Sequence, residues 1–355
     1  MRCRVFAFLF AFILPPALAC AQAPAGPADA PGSDQSASPA MTLNVLVAPK
    51  SGVPVSGLAA QDFTVLDNKA ALPIQSVKEV TPSQEPVFLI LFLDEVNADY
   101  TIAVTQRDGV QRFLRANGGK LPYPSTVAIF TDKGAQIQQS FSTDGAAMAG
   151  ALAHMPLNQR EIVRGTSFGD FDRVRLSLSA LHQLISVLAG TPGRKIVLWI
   201  SPGWPLLSGP NYPVDNKMQR QIFDEIEYFS TQLRQADITL YNLNAAAVQE
   251  ARETSYYEGF VKGIAKPSQV LLGDVALQVL AEQSGGQVLQ SSTDVSSMIQ
   301  KALVDLRSWY EVTFAPPPAD KPDAYHHIEI KLDKPGLAAR TRDGYYSNPS
   351  INPQP

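Results

Sequence analysis

Val87–Asp94 reads VFLILFLD, an apolar run that ends on a carboxylate. A run without polar alternation has no solvent face. It suits a strand covered on both sides, as in the middle of a parallel sheet. Open α/β sheets bind their ligands beyond the carboxyl ends of such strands. Asp94 is therefore the first candidate functional residue, and Glu95, Asn97 and Asp99 follow directly behind it.

The rest of the chain places this strand in a larger pattern. Thr42–Ala48, Phe63–Leu66 and Ile74–Val80 carry the period-two alternation of half-buried strands, with turns at Ser51-Gly52 and Asp67-Asn68. From Pro86 the pattern switches to alternating strands and helices, the mark of a mainly parallel sheet. Helices are predicted over Ile102–Arg115, from a cap at Asp144 to Met155, from a cap at Asp170 to Gly190, over Met218–Leu233, over Val270–Ala281 and over Val295–Leu306. Strands are predicted at Thr126–Thr131, Lys195–Ile200, Ile238–Leu243 and Val288-Leu289. Trp309–Phe314 and Ile328–Leu332 return to the β pattern. Ala245–Pro267, with Tyr256, Tyr257 and Phe260, has no period and reads as a surface excursion. Thr42–Val80 and Trp309–Tyr346 each hold too few strands to stand alone, so they are expected to meet as one small β subdomain.

Residues 1–20 have the form of an export signal. Arg2 and Arg4 precede the apolar Val5–Leu14, and Pro15-Pro16 leads to the small residues Ala17-Leu18-Ala19. Both cysteines, Cys3 and Cys20, fall in this segment, so the body of the protein has no thiol chemistry and no internal disulfide. Cys20 sits in a lipoprotein-type box with Ala in place of the usual Leu; lipidation at Cys20 and ordinary cleavage nearby are the two readings. Hydrophobic residues make up 45% and charged residues 17%, which describes a globular chain. Without Arg2 and Arg4, 27 basic side chains face 33 acidic ones, a formal charge of −6. That balance argues against nucleic acid and anionic membranes as partners. The division expected is a signal (1–20), a disordered linker (21–40), an N-terminal β segment (41–82), the α/β domain (83–308), a C-terminal β segment (309–347) and a disordered tail (348–355).

Four stretches in this order resemble the von Willebrand factor type A-related domain family found mainly in acidobacterial exported proteins. They are Gly57-Leu58 through Asp67-Asn68-Lys69; Leu93-Asp94-Glu95-Val96-Asn97; Pro192-Gly193-Arg194 through Ser201-Pro202-Gly203-Trp204-Pro205; and Leu280-Ala281 with Ser284-Gly285-Gly286, Trp309-Tyr310 and Arg340–Tyr346. The resemblance implies a Rossmann-like, mainly parallel sheet with helices on both faces. It also implies a metal-ion-dependent adhesion site built from Asp-x-Ser-x-Ser, a Thr and a second Asp. A hard cation such as Mg²⁺ wants six oxygens near-octahedrally. This chain keeps Asp94 and offers Thr166 as the second-loop threonine, but Val96, Ala98 and Pro202 stand where oxygen donors are needed.

Two readings of Asp94 follow: a rebuilt cation site with Glu95, Asn97, Asp99 and Thr166, or a cap on the neighbouring backbone turn. Ser201 lacks the glycine two residues earlier that a nucleophile elbow needs, Trp199 standing there instead. Trp204 follows the third loop and is either an exposed binding residue or part of the core. The four histidines form no catalytic or zinc pattern. The expected function is a non-enzymatic, adhesion-type protein-binding module, exported to the periplasm, cell surface or medium. It has no membrane span and no cofactor beyond a divalent cation at Asp94. The competing classes are a hydrolase-like enzyme using carboxylates at the same edge, and a structural scaffold.

Overall fold

The computed structural model describes residues 40–347 apart from 51, 139, 158–165, 210–211, 247–253, 291 and 319–320. The signal, Cys20, nearly all of the linker and the tail 348–355 lie outside the described residues.

The described residues open with four strands, β1 (Met41–Pro49), β2 (Phe63–Asp67), β3 (Ala70–Leu72) and β4 (Ile74–Val80). Asn68 and Lys69 join β2 to β3 with φ of 49° and 73°, the left-handed pair that a two-residue hairpin turn requires. Then come β5 (Val87–Asp94), α1 (Tyr100–Arg115), β6 (Lys120–Thr131), β7 (Gly134–Ile137), β8 (Ser142–Asp144), α2 (Gly145–His154) and α3 (Ser167–Leu188). β9 (Arg194–Ile200), α4 (Asn216–Gln235), β10 (Ile238–Leu243), α5 (Leu277–Gln283), β11 (Val288–Leu289) and α6 (Val295–Val304) complete the alternating section. Four strands close the chain: β12 (Trp309–Phe314), β13 (Ala324–Leu332), β14 (Leu337–Arg340) and β15 (Gly344–Ser347).

The seven-stranded sheet has the order β11-β10-β9-β5-β6-β7, with β8 also pairing β6. β5 lies between β9 and β6, parallel to both. Its alternate residues feed two separate cores, which is why the run needs no polar position. Leu89, Leu91 and Leu93 pack with α1, α2 and α6, and Ile90 and Phe92 pack with α3, α4 and α5.

The segments on either side of this section pair with each other in two four-stranded sheets, β14-β1-β12-β4 and β15-β13-β2-β3. Leu43, Val45 and Val47 of β1 meet Phe63, Val65, Tyr310, Val312 and Ile328 in a core between them. Trp309 pairs with Val80, and both belong to the α1-side core of the large sheet.

Three expected elements differ. The helix before Gly190 starts at Ser167, so its cap is Thr166 and not Asp170. Val270–Ala281 is not one helix: short 3₁₀ turns at Pro267–Gln269 and Leu272–Val275 precede α5, because Asp274 turns back to accept the backbone N–H of Leu271. The Ala245–Pro267 excursion is part core, with Tyr257 buried and Tyr256 exposed.

Candidate functional site

Asp94 is the last residue of β5, and period-two geometry puts its side chain on the face shared with Ile90 and Phe92. In the parallel register Phe92 lies opposite Trp199, and Leu93 opposite Ile200. Trp199 and Ser201 therefore leave β9 on that same face and converge on the carboxylate. The Trp199 indole Nε1 and the Ser201 hydroxyl each donate to Asp94 Oδ2 at 2.9 Å. Asn97 adds its Nδ2 to Oδ2 at 2.9 Å, and the backbone N–H groups of Val96 and Asn97 donate to Oδ1 at 3.1 and 2.9 Å.

These five donors close the turn after β5 around one buried carboxylate. Burial pushes the carboxyl above its ordinary range, while the bonds from Trp199, Asn97 and Ser201 pull it down.

The neighbouring candidates are bound into the same wall. Asn97 Nδ2 also donates to Ser177 Oγ of α3 at 2.9 Å. Glu95 is buried and accepts Arg107 Nε at 2.7 Å, while the same guanidinium donates to the carbonyls of Met155 and Pro156 at 2.6 and 3.0 Å. Asp99 caps α1 by accepting Ile102 N–H at 2.8 Å, and Thr166 caps α3 by accepting Gly169 N–H at 3.1 Å.

Asp170 holds a different set: Arg173 at 2.6 Å and the Tyr212 hydroxyl at 2.9 Å. The carboxylates at this edge are thus dispersed among separate partners.

Beneath the third loop, Asn242 Nδ2 donates to the Ser201 carbonyl at 3.0 Å and Asn244 Nδ2 to the Pro202 carbonyl at 3.0 Å. Gly203 takes φ +105°, a backbone conformation that L side chains rarely adopt, and a Cβ there would also displace the Gln278 amide, 2.0 Å away. Trp204, weighed as an exposed binding residue or a core residue, is core. It is buried with its ring 5.3 Å from that of Trp199 at 72°.

The side chains present do not fit an octahedral cation. Val96 and Ala98 are buried hydrocarbon where hydroxyls are needed, Asp94 is occupied by protein donors, and the Thr166 hydroxyl caps α3. Among the described residues no group of three or more His, Cys, Asp or Glu is arranged to hold a metal ion. Asp94 instead caps the turn, as its second reading has it. Of the remaining residues, Tyr345 and Tyr346 are both buried: Tyr345 OH donates to Asp67 Oδ2 at 3.2 Å, and Tyr346 OH to the Ile264 carbonyl at 2.7 Å.

Sequence reasoning did not single out Trp199, Ser177 and Arg107 as partners of Asp94, Asn97 and Glu95. Nor did it single out two largely exposed aromatic side chains of this edge. Tyr100, the first residue of α1, is 65% exposed, and Phe168, the second of α3, is 82% exposed. A large aromatic in the first turn after a helix cap was the available signal.

No protein-family model matches the chain, and neither does any curated protein. Solved structures do align with it. Proximal thread matrix protein 1 from the mussel byssus is 14% identical over 68% of this chain, with a TM-score of 0.37; the chain spans about half of that protein, 51%. The D319A mutant of the PilB minor pilin from Streptococcus sanguinis is 10% identical over 75% of this chain and 77% of its own, at 0.33. Manganese-loaded Plasmodium vivax TRAP protein is 11% identical over 75% of this chain and 96% of its own, at 0.31.

Proposed function

We propose that this chain is an exported, non-enzymatic protein-binding module of von Willebrand type A-like architecture, and that its binding edge works without a metal ion. One observation carries the reading. Among the described residues the large hydrophobic side chains left exposed are Val53, Tyr100, Phe168, Tyr256 and Leu271. All but Val53 lie where chain leaves or approaches the carboxyl ends of the parallel strands. Tyr100 follows β5, Tyr256 and Leu271 lie between β10 and α5, and Phe168 begins the helix that runs back towards β9. Exposed aromatic side chains on loops held by a rigid sheet are a common way to bind a protein partner.

In this reading Asp94 keeps the position of the family's cation ligand but serves as an internal brace that fixes the loop bearing Tyr100. The basic start and apolar run of residues 1–20 support export, and lipidation of Cys20 would tether the module to a membrane surface. No described helix is long and apolar enough to cross a membrane.

The test is a photo-crosslinking residue placed at Tyr100, at Phe168 and, as comparator, at Val53 in the producing cell. Discrete protein adducts from the first two positions and none from Val53 are expected. Equal labelling at all three, or none at Tyr100 and Phe168, rejects this edge as the binding surface.

A further inference from the structure

The two ends of the large sheet are finished differently. β11 closes one end with two residues, Val288–Leu289, and β7 closes the other with four, Gly134–Ile137. β7 runs antiparallel to β6, with Ala128 opposite Ile137 and Phe130 opposite Ala135. The Phe130 carbonyl accepts the Glu95 N–H at 2.9 Å, so Phe130 turns its backbone groups towards β5. Ala135 therefore turns its own N–H and carbonyl away from β6, and Ile137, two residues on, faces the same outer side. A row of outward backbone groups is a template for a further strand.

At Ala135 that row is already taken. The Ala135 N–H donates to Gln183 Oε1 at 3.2 Å, and Gln183 Nε2 donates to the Ala135 carbonyl at 2.8 Å. A primary amide carries both an acceptor and donors, so one side chain makes the pair of bonds that a residue of a neighbouring strand would make. Gln183 reaches β7 from α3, whose Leu181, Leu184 and Ile185 are buried against the sheet. Gln183 itself is exposed, so its bonds to Ala135 fix its position and burial does not.

We propose that the Gln183 amide is a plug: it stands in for a strand on β7 and keeps this edge from pairing with β7 of a second copy. The strand reads Gly-Ala-Gln-Ile and has neither the proline nor the charge that commonly blunts an edge. It is also complementary to itself. Laid antiparallel about Gln136, Ala135 of each copy exchanges both backbone bonds with Ile137 of the other, and Gln136 stands opposite Gln136, a closed twofold arrangement. Each copy must withdraw its own Gln183 before those bonds can form, so the edge stays shut while the plugs are seated.

The experiment is sedimentation of the full chain over a range of concentrations, with circular dichroism to check each fold. The proteins are wild type, Gln183→Leu, Gln183→Ala, Gln136→Lys and the double variant Gln183→Leu/Gln136→Lys. Both Gln183 variants are expected to reach twice the wild-type mass as concentration rises. The double variant should return to the wild-type mass, because like charges directly opposite each other on paired strands are destabilising. Gln136 is exposed, so the lysine reads the pairing and not the core. Wild-type mass at every concentration in both Gln183 variants overturns the plug. So does a doubled mass that Gln136→Lys leaves in place, and so does a wild type whose own mass Gln136→Lys halves. If Gln183→Leu fails to fold, Gln183→Ala, alone and combined with Gln136→Lys, poses the same question.

Discussion

Trp199 donates its indole N–H to Asp94 Oδ2 at 2.9 Å, from one central strand to the carboxyl end of its neighbour. The same ring lies 3.9 Å from that of Phe92 and 5.3 Å from that of Trp204, so a cluster of aromatic rings holds the donor in place. A side chain that in a cation site would face solvent is here the acceptor at the centre of a packed core.

Replacing Asp94 with Asn keeps the shape but turns an –NH₂ towards groups that donate to the carboxylate, of which the Ser201 hydroxyl alone can also accept. A buried donor without an acceptor costs about 1–3 kcal/mol, so Asp94→Asn should lower the unfolding free energy by roughly 3 kcal/mol or more in chemical denaturation. Trp199→Phe, which removes one donor and keeps a ring, should cost less. A variant as stable as wild type would show that Asp94 does not brace the turn.

Arg107 is buried and shared between Glu95 and the carbonyls of Met155 and Pro156. Removing one partner of a buried ion pair costs about 3–5 kcal/mol, because the other charge is left behind. Arg107→Met should show a loss of that size, and most of it should return in the double variant Arg107→Met/Glu95→Gln. Additive losses would mean that the two side chains do not act as a pair.

Asp343 supplies a pH signal. Burial raises its carboxyl to about 7, against the hydrogen bond that Tyr325 OH donates to it at 2.9 Å. The folded state binds the proton more tightly than the unfolded chain, so stability is greatest below the ordinary aspartate range and declines as pH rises through about 7. At 1.36 kcal/mol per pKa unit the decline amounts to at most about 4 kcal/mol. Asp343→Asn should flatten the profile of denaturation midpoints by that component, and an unchanged slope would remove Asp343 from the account.

Tyr100 and Phe168 make the opposite prediction for stability. Both are largely exposed, so Tyr100→Ser and Phe168→Ser should change unfolding free energy by no more than about 0.5 kcal/mol. Each should still remove the partner adduct seen from a crosslinker at the other position. A large loss of stability would mark them as structural residues.

Much of this was legible before any coordinates. VFLILFLD stated its own two-sided burial, and the strand–helix alternation after Pro86 stated a parallel sheet. Asp144 could be read as a helix cap because a cap is local chemistry. Thr166 was passed over for Asp170 because both stand near the start of the same apolar stripe. The stripe does not say which residue turns its hydroxyl or carboxylate onto the first free N–H groups.

The brace around Asp94 was out of reach for a different reason. Trp199 and Ser201 meet Asp94 only once the register of β5 against β9 is fixed, and period-two patterning cannot supply register between two strands that are apolar on both faces. Trp204 was ambiguous on the same ground, since its burial depends on where Trp199 lies.

The central claim is that Asp94 serves as an internal brace and not as a cation ligand. Calorimetric titration of Mg²⁺ and Mn²⁺ into wild type and Asp94→Asn tests it most directly. The account predicts no saturable heat from either protein and a lower unfolding midpoint for the variant, unaffected by metal. Saturable binding to wild type that disappears in Asp94→Asn would contradict it.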